Sequence, residues 1–316
     1  MSAPTLGLKC PLCSAPASDL SKYASFGSYR YVRCPQCDLV FVSPIPSTQE
    51  LTAYYNSSYR PDPAMLGKGA ARWSPNVLKA LDDAIPSRGR LLEIGASFGF
   101  FLAAAREDGW DATGIEVGEE ACAYARQQLH LPMLSGSLED HPELTPASFD
   151  AVALFHLLEH VADPVAFVER CAELTKPGGF LVLRTPNSAS LVSRVTRERW
   201  SWLCPPQHLY LYSARSITLL LEKVGFRVER LWTVRGDAQN NLVELAFGAL
   251  RRLRAVRTGG GVPSDAPGRG HLTRTWYFKP TIATADVLYS PFSVLVDPWL
   301  AQLRLQPELG ALARRR

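Results

Sequence analysis

The sequence predicts an α/β protein whose main part is a doubly wound sheet, preceded by a small module built on cysteines. Three observations carry this. Residues 90–118, RLLEIGASFGFFLAAAREDGWDATGIEVG, read as strand, tight glycine turn, helix and second strand. Further strand and helix patterns alternate downstream, as a parallel sheet requires. Near the N-terminus, Cys10 and Cys13, then Cys34 and Cys37, form two C-x-x-C pairs.

The 316 residues are 47% hydrophobic and carry a formal net charge of +4, enough for one ordinary α/β domain with a small appendage. The basic residues are spread along the chain, so no nucleic-acid partner is expected. MSAPTLGLKCPLC has neither the charged start nor the apolar core of a secretory leader. No run of 18 or more apolar residues marks a transmembrane segment. The expectation is a cytoplasmic globular protein.

The cysteine pairs C-P-L-C and C-P-Q-C stand twenty residues apart, the spacing of a structural zinc ribbon, in which two tight knuckles bring four soft ligands to one tetrahedral point. Residues 21–33 between them form a hairpin that turns at Gly27 and Ser28. Four thiolates leave no open position, so the metal is expected to supply folding energy to residues 1–46, a module too small to bury enough surface by itself. Two disulfides are the competing use of these cysteines, and a cytosolic location disfavours them.

Residues 47–87 link this module to the core. Ser47 and Glu50 make a capping box that starts a short helix ending near Asn56. Tyr54, Tyr55 and Tyr59 read as packing between modules, with the border of a substrate mouth as the alternative. Residues 61–69, rich in Pro and Gly, read as a loop, and 71–85 as a helix leading into the sheet.

The core domain is expected over 88–316. Leu91, Leu92 and Ile94 run into Gly95, and the turn reaches Gly99 before a helix that Gly109 stops. The next strand delivers Glu116 about 20 residues past the first glycine, where an acid meets a bound ribose in nucleotide-binding α/β folds. Ser97 occupies the place at which a second glycine would admit a pyrophosphate. A dinucleotide is therefore disfavoured, and a ligand with an adenosine but no phosphates fits better. A helix over GEEACAYARQQLH, a short third strand LPML and the turn SGSLED follow. FDAVALF is a continuous apolar strand of the doubly buried kind. Asp163 and Pro164 cap and open a helix through Leu174, which stops at Lys176-Pro177-Gly178-Gly179 before the strand FLVLRTPN.

EIGASFG (93–99), and above all the stretch from FDAVALFHLLEHVADP through KPGGFLVLRTPN, resemble the class I S-adenosylmethionine-dependent methyltransferases. The resemblance runs from about residue 88 to the C-terminus and implies a Rossmann-like seven-stranded methyltransferase sheet. It implies that Glu93, Gly95, Ala96, Ser97, Gly99, Glu116 and Val117 hold the cofactor, with Phe155 and His156 lining the cleft. The family commonly places an acid after the third strand to meet the adenine, and this chain has Ser137 there. The contact then falls to Ser137, to the Leu138 backbone or to Glu139.

The ribbon, the linker and the core together are similar to bacterial sugar and natural-product methyltransferases, which include both O- and C-methylating members. That likeness implies a small-molecule or glycan acceptor. PPQHLYLYS places His208 in the setting that in this family lies near the transferred methyl. His208 is therefore the candidate general base, its imidazole titrating near neutrality, with His156 and Tyr210 as further catalytic candidates. A histidine that only ties its loop to the sheet is the alternative.

Residues 188–212, dense in aromatic side chains such as Trp200 and Trp202, read as the substrate-specificity insertion. A helix capped by Ser213 and a sixth strand, FRVERLWTVR, come next. Residues 238–304 read as a helical insertion: an amphipathic helix NNLVELAFGALRRLRAV that could contact a membrane peripherally, a Gly/Pro linker, and a helix over about 280–303. ELGALARRR supplies a seventh, antiparallel strand.

Three other readings compete. His156, Glu159 and His160 spell the H-x-x-E-H of inverzincin proteases, but they stand at the end of a buried strand in a doubly wound pattern. An RNA methyltransferase with a zinc module is disfavoured by Cys37, where such modules usually have histidine, and by the small charge. An inactive scaffold that kept the fold is the reading that Ser97 and Ser137 allow.

Overall fold

The structure, a computed structural model, describes residues 9–47, 49–51, 53–54, 62–234 and 299–316. In chain order its main elements are β1 (Ser21–Phe26), β2 (Tyr29–Arg33), β3 (Val40–Ser43), α1 (Pro63–Ala84), β4 (Arg90–Ile94), α2 (Phe100–Glu107), β5 (Asp111–Glu116), α3 (Glu119–Gln128), β6 (Met133–Ser135), β7 (Phe149–Phe155), α4 (Pro164–Leu174), β8 (Thr175–Pro186), α5 (Leu191–Thr196), β9 (Tyr210–Leu211), α6 (Ala214–Lys223), β10 (Phe226–Val234) and β11 (Glu308–Arg315). The chain divides into two compact units, one of residues 1–60, 186–216 and 232–309, the other of residues 61–185, 217–231 and 310–316.

The second unit is built on a seven-stranded sheet of order β10-β11-β8-β7-β4-β5-β6. β4 pairs in parallel with β5 on one side and β7 on the other, and β5–β6 and β7–β8 are parallel as well. The order therefore reverses at β4. A doubly wound sheet opens a crevice at such a switch point, beyond the carboxyl ends of its strands. Leu91, Leu92, Val152, Leu154, Leu181 and Leu183 are fully buried, which explains why these strands read as unbroken apolar runs: helices cover both faces.

Two boundaries differ from expectation. α1 begins at Pro63, so 63–69 is helix rather than loop. Asp62 accepts the Ala64 N–H at 2.9 Å and Pro63 stands at the first helical turn, where its missing N–H costs nothing. Gly67 then lets α1 approach the Phe100 ring, which an added Cβ would meet at 3.2 Å. In addition, β8 starts at Thr175, so Lys176-Pro177-Gly178-Gly179 lies within the strand. The pairing with β7 jumps from Phe149↔Thr175 to Ala151↔Phe180 across it. A Cβ on Gly179 would come within 2.8 Å of the Asp150 carbonyl, so the glycine is needed for this close passage.

β10 and β11 occupy the expected segments, with β11 between β8 and β10. The expected amphipathic helix and the Gly/Pro linker lie outside the described residues. Of the helix expected over 280–303, only 299–303 are described, and 299–302 are helical. No described helix is long and apolar enough to cross a membrane.

In the first unit β1, β2 and β3 form an antiparallel meander turning at Gly27 (φ 57°), and β9 adds to its edge, with Val40 opposite Leu211 and Phe41 opposite Tyr210. Residues 188–212 are thus not a plain loop. Ser190 caps α5 by accepting the Ser193 N–H at 3.1 Å, a 3₁₀ turn spans Arg197–Arg199, and the segment ends as a strand. The capping box of Ser47 and Glu50 is formed.

Candidate active site and metal centre

At the switch point β4 gives way to a turn in which Gly95 (φ 73°), Ser97 (φ 49°) and Gly99 (φ 78°) all take the left-handed conformation. A Cβ on Gly99 would lie 2.6 Å from Leu131 Cδ1, and one on Gly95 3.0 Å from Leu157 Cδ1. Both positions are therefore closed to larger residues by contact as well as by conformation. Ser97 accepts the strain of a left-handed non-glycine residue, and its N–H donates to Glu116 Oε2 at 2.8 Å. Glu116 Oε1 accepts from Gly118 N at 2.7 Å. The acid at the end of β5 is thus drawn to the glycine turn by two charge-assisted hydrogen bonds. Beside it Val117 is 70% exposed, an apolar side chain left in solvent.

Glu93 is buried under this turn. Burial first, and then the charge of Glu116, push its carboxyl well above the usual carboxylate range. Its Oε2 is buried without a hydrogen-bond partner, a group that a bound polar ligand would satisfy. Ala96 is buried within the same turn. At the end of β6, both N and Oγ of Ser137 donate to Asp140 Oδ2 at 2.8 Å. Asp140 is held below its ordinary pKa by the Ser137 N–H first and its hydroxyl second, and Leu138 is buried. The Ser137 hydroxyl is thus already engaged in a capping box, and the nearby acid is Asp140. The signal that could have found it is the S-x-x-D pattern.

At the end of β7 the Phe155 ring lies 4.6 Å from both Trp73 and Phe101, and the Arg184 guanidinium sits 4.7 Å above the Trp73 ring. Trp73 and Arg184 escaped the sequence reading, because one lies before the motifs and the other looks like any strand residue. His156 has φ 51° and donates its N–H to the Arg184 carbonyl at 2.9 Å. Its Nδ1 is 3.4 Å from Glu159 Oε1, while Glu159 Oε2 accepts from Thr185 Oγ1 at 3.1 Å. Glu159 and Thr185 are fully buried. The result is an imidazole with a buried carboxyl group 3.4 Å away at the carboxyl edge of the sheet. His156, Glu159 and His160 do not share one α-helical face, because Leu158–His160 is a single 3₁₀ turn.

All the predicted cofactor residues, from Glu93 to His156, therefore belong to the second unit. His208 and Tyr210 belong to the first, with the four cysteines. His208 is 3% exposed. Its ring stacks on Trp202 with centroids 5.2 Å apart, and Nδ1 lies 2.8 Å from the Trp202 carbonyl. A carbonyl only accepts, so Nδ1 carries the proton. Tyr210 is buried in β9.

The Sγ atoms of Cys10, Cys13, Cys34 and Cys37 all lie within 4.8 Å of one another, with 3.5 Å separating Cys10 from Cys37 and Cys13 from Cys34. Four thiolates at Zn–S distances of about 2.3 Å would be about 3.8 Å apart, so the donor set fits zinc. The two knuckles repeat one design. Ser14 N bonds the Cys10 carbonyl and Asp38 N that of Cys34, and both donors have left-handed φ, 61° and 66°. Cys10 is held down to about 5 by a hydrogen bond from Cys37, whose own thiol is pushed up. A dication here would replace that unequal sharing by four thiolates. Of the remaining cysteines, Cys122 and Cys171 are buried in helices, where burial raises both thiols.

A reversing parallel sheet, a glycine turn at its switch point and an acid tethered to that turn define a class I S-adenosylmethionine-dependent methyltransferase domain. A family model described as a methyltransferase domain matches residues 65–231, more than half of the chain, and the chain belongs to that family. It is 33% identical over 105 residues to the ubiquinone biosynthesis O-methyltransferase of Vibrio cholerae, an overlap covering 31% of this chain and 42% of that protein. Against the protein of the same name from Paracidovorax citrulli it is 33% identical over 157 residues, or 42% of this chain and 65% of that one. The chain thus spans less than two thirds of the length of these relatives. Among solved structures, an S-adenosylmethionine-dependent methyltransferase from Archaeoglobus fulgidus is similar at 15% identity and a TM-score of 0.48, covering 85% of this chain and all of that one. One from Mesorhizobium loti is similar at 19% identity and 0.47, covering 79% of this chain and all of that one.

Proposed function

We propose that the chain is an S-adenosylmethionine-dependent methyltransferase acting on a hydroxyl of a sugar or another small biosynthetic intermediate. One observation carries the cofactor half of this reading: Glu116 is held against the glycine turn by the Ser97 and Gly118 amides. A carboxylate so placed can accept from ribose hydroxyls while the turn leaves room for the nucleoside. The buried, partnerless Glu93 Oε2 and the exposed Val117 are what an amino-acid moiety and an adenine would respectively cover. The hydroxyl half is supported by curated relatives that bear O-methyltransferase names.

The cofactor supplies an electrophilic methyl on a sulfonium. The protein then has to orient the acceptor in line with that methyl, exclude water and remove one proton. His208 is assigned the last task, as an imidazole whose Nδ1 the Trp202 carbonyl fixes as the donor. His156, 3.4 Å from Glu159 at the sheet edge, is a second candidate acceptor of the proton, and Tyr210, two residues from His208, a further catalytic candidate. The four cysteines hold a structural zinc. Seven cysteines without a disulfide suit the cytoplasm.

Calorimetry with S-adenosylmethionine and S-adenosylhomocysteine on the zinc-loaded chain tests the reading. Stoichiometric binding is expected, weakened by about tenfold or more in Glu116→Ala, the cost of a charge-assisted bond. A folded wild-type chain that binds neither ligand overturns it in favour of a scaffold that kept only the fold.

A further inference from the structure

We propose that the cysteine module is the frame that sets the working geometry of His208, with Tyr31 as its positioning residue and zinc keeping the frame closed. This rests on the reading of His208 as proton acceptor. It gives the module a part in the reaction in place of a merely stabilising one.

The backbone of 207–211 is held partly within its own loop, where the Gln207 and His208 amides donate to the Cys204 carbonyl at 2.9 and 3.2 Å, and partly by this module and its immediate extension. The Tyr31 hydroxyl, at the centre of β2, donates to the His208 carbonyl at 2.6 Å. One residue on, Val42 N donates to the Leu209 carbonyl at 2.9 Å, and β3 then pairs with Tyr210 and Leu211. One residue before, Gln207 Oε1 accepts from the Tyr54 hydroxyl at 3.0 Å. The module therefore grips 207–211 as a continuous strip. On the other side of the residue, the Trp202 carbonyl and ring hold the imidazole. Ring and backbone are thus held by different groups, and the orientation of the imidazole depends on both.

The strip is also coupled to the metal ligands. β2 runs directly into Cys34, and Cys34 N closes the knuckle by donating to the Leu39 carbonyl at 2.9 Å, one residue before β3. The strand that carries Tyr31 and the strand that pairs with β9 are consequently the two arms of one cysteine knuckle. Opening that knuckle separates the two holds on 208–211. The Tyr31 phenol is fully buried, and burial pushes it well above its usual value, so it remains a donor at any working pH. An apolar phenyl of the same shape would fill the space without reaching the carbonyl.

The test uses the full zinc-loaded chain, ¹⁵N-labelled and free of cofactor and acceptor. It compares wild type, Tyr31→Phe, wild type stripped of metal by a chelator, and Tyr29→Phe, whose hydroxyl lies on the same strand but bonds the exposed Glu50. Long-range ¹⁵N correlations give the tautomer of His208, assigned by its loss in His208→Gln, and mass spectrometry gives amide exchange over 203–212. Wild type and Tyr29→Phe should show a single Nδ1–H tautomer. Tyr31→Phe should retain zinc yet show a tautomer mixture and exchange faster by about three- to tenfold, the loss of one buried hydrogen bond. Metal removal should do at least as much, and one equivalent of zinc should restore it. If the ring signals and the exchange of 203–212 are unchanged by chelation, the frame is overturned, even should Tyr31→Phe fail to fold. Cofactor calorimetry on the same samples reports separately on the methyltransferase reading.

Discussion

The two sheets of this protein are held in opposite ways. The seven-stranded sheet stabilises itself by area: its central strands are apolar on both faces and are covered by α1 to α4, so each fully buried Leu or Val contributes roughly 1.5–3 kcal/mol. The four-stranded sheet has short strands, several of them with exposed residues, and depends on four thiols and on two residues borrowed from far along the chain. A large core tolerates local irregularity, such as the Pro-Gly-Gly passage inside β8, whereas a small one needs point fastenings. On the proposed reading of the four cysteines as a zinc site, its stability is conditional on metal, and the other sheet's is not.

That contrast can be broken most forcefully at the metal. Cys34→Ser or chelation should abolish exchange protection in β1 to β3 while leaving the seven-stranded sheet with a cooperative melt, because structural zinc contributes about 10 kcal/mol or more to such modules. A single concerted loss of both sheets would contradict it. Next in size, Leu92→Ala in β4 should cost about 2–5 kcal/mol in the large sheet, read as a fall in its melting temperature with zinc content and cysteine reactivity unchanged. The smallest effect sharpens the picture of the core itself. Glu93 has its folded pKa raised, so its contribution to stability is complete below the unfolded carboxylate range and is lost as pH rises through and beyond it. Glu93→Gln should therefore melt a few degrees above wild type at pH 8, with the gap closing toward pH 4. A gap independent of pH would mean that the carboxyl is ionised in the fold.

Much of this was legible in the sequence for physical reasons that act locally. A glycine turn, a proline after an N-cap aspartate and two C-x-x-C knuckles each impose geometry over a handful of residues, so the strands, the turn, Glu116 and the cysteine cluster could be located directly. What stayed hidden depends on partners distant in sequence. Nothing in SWLCPPQHLYLY announces that Tyr210 and Leu211 will join a sheet begun at Ser21. Trp73 gains its significance only from Phe101, Phe155 and Arg184, which lie on three other elements. The start of α1 was obscured for a different reason: Pro63 is a helix breaker in general and a helix opener after Asp62. At Ser137 the sequence suggested an adenine contact but not the hydrogen bonds from its amide and hydroxyl to Asp140.

The fourth strand of the small sheet also has a consequence in time. Tyr31 and the carbonyl it bonds are 177 residues apart along the chain, and the strands β4 to β8 all lie between them. A contact of that separation forms slowly, since the intervening chain must be brought to order first. During synthesis the three strands β1 to β3 emerge well before the residues that complete their sheet. Until Tyr210 and Leu211 arrive, β3 (Val40–Ser43) stands as an open edge strand that carries no charged side chain to discourage pairing elsewhere.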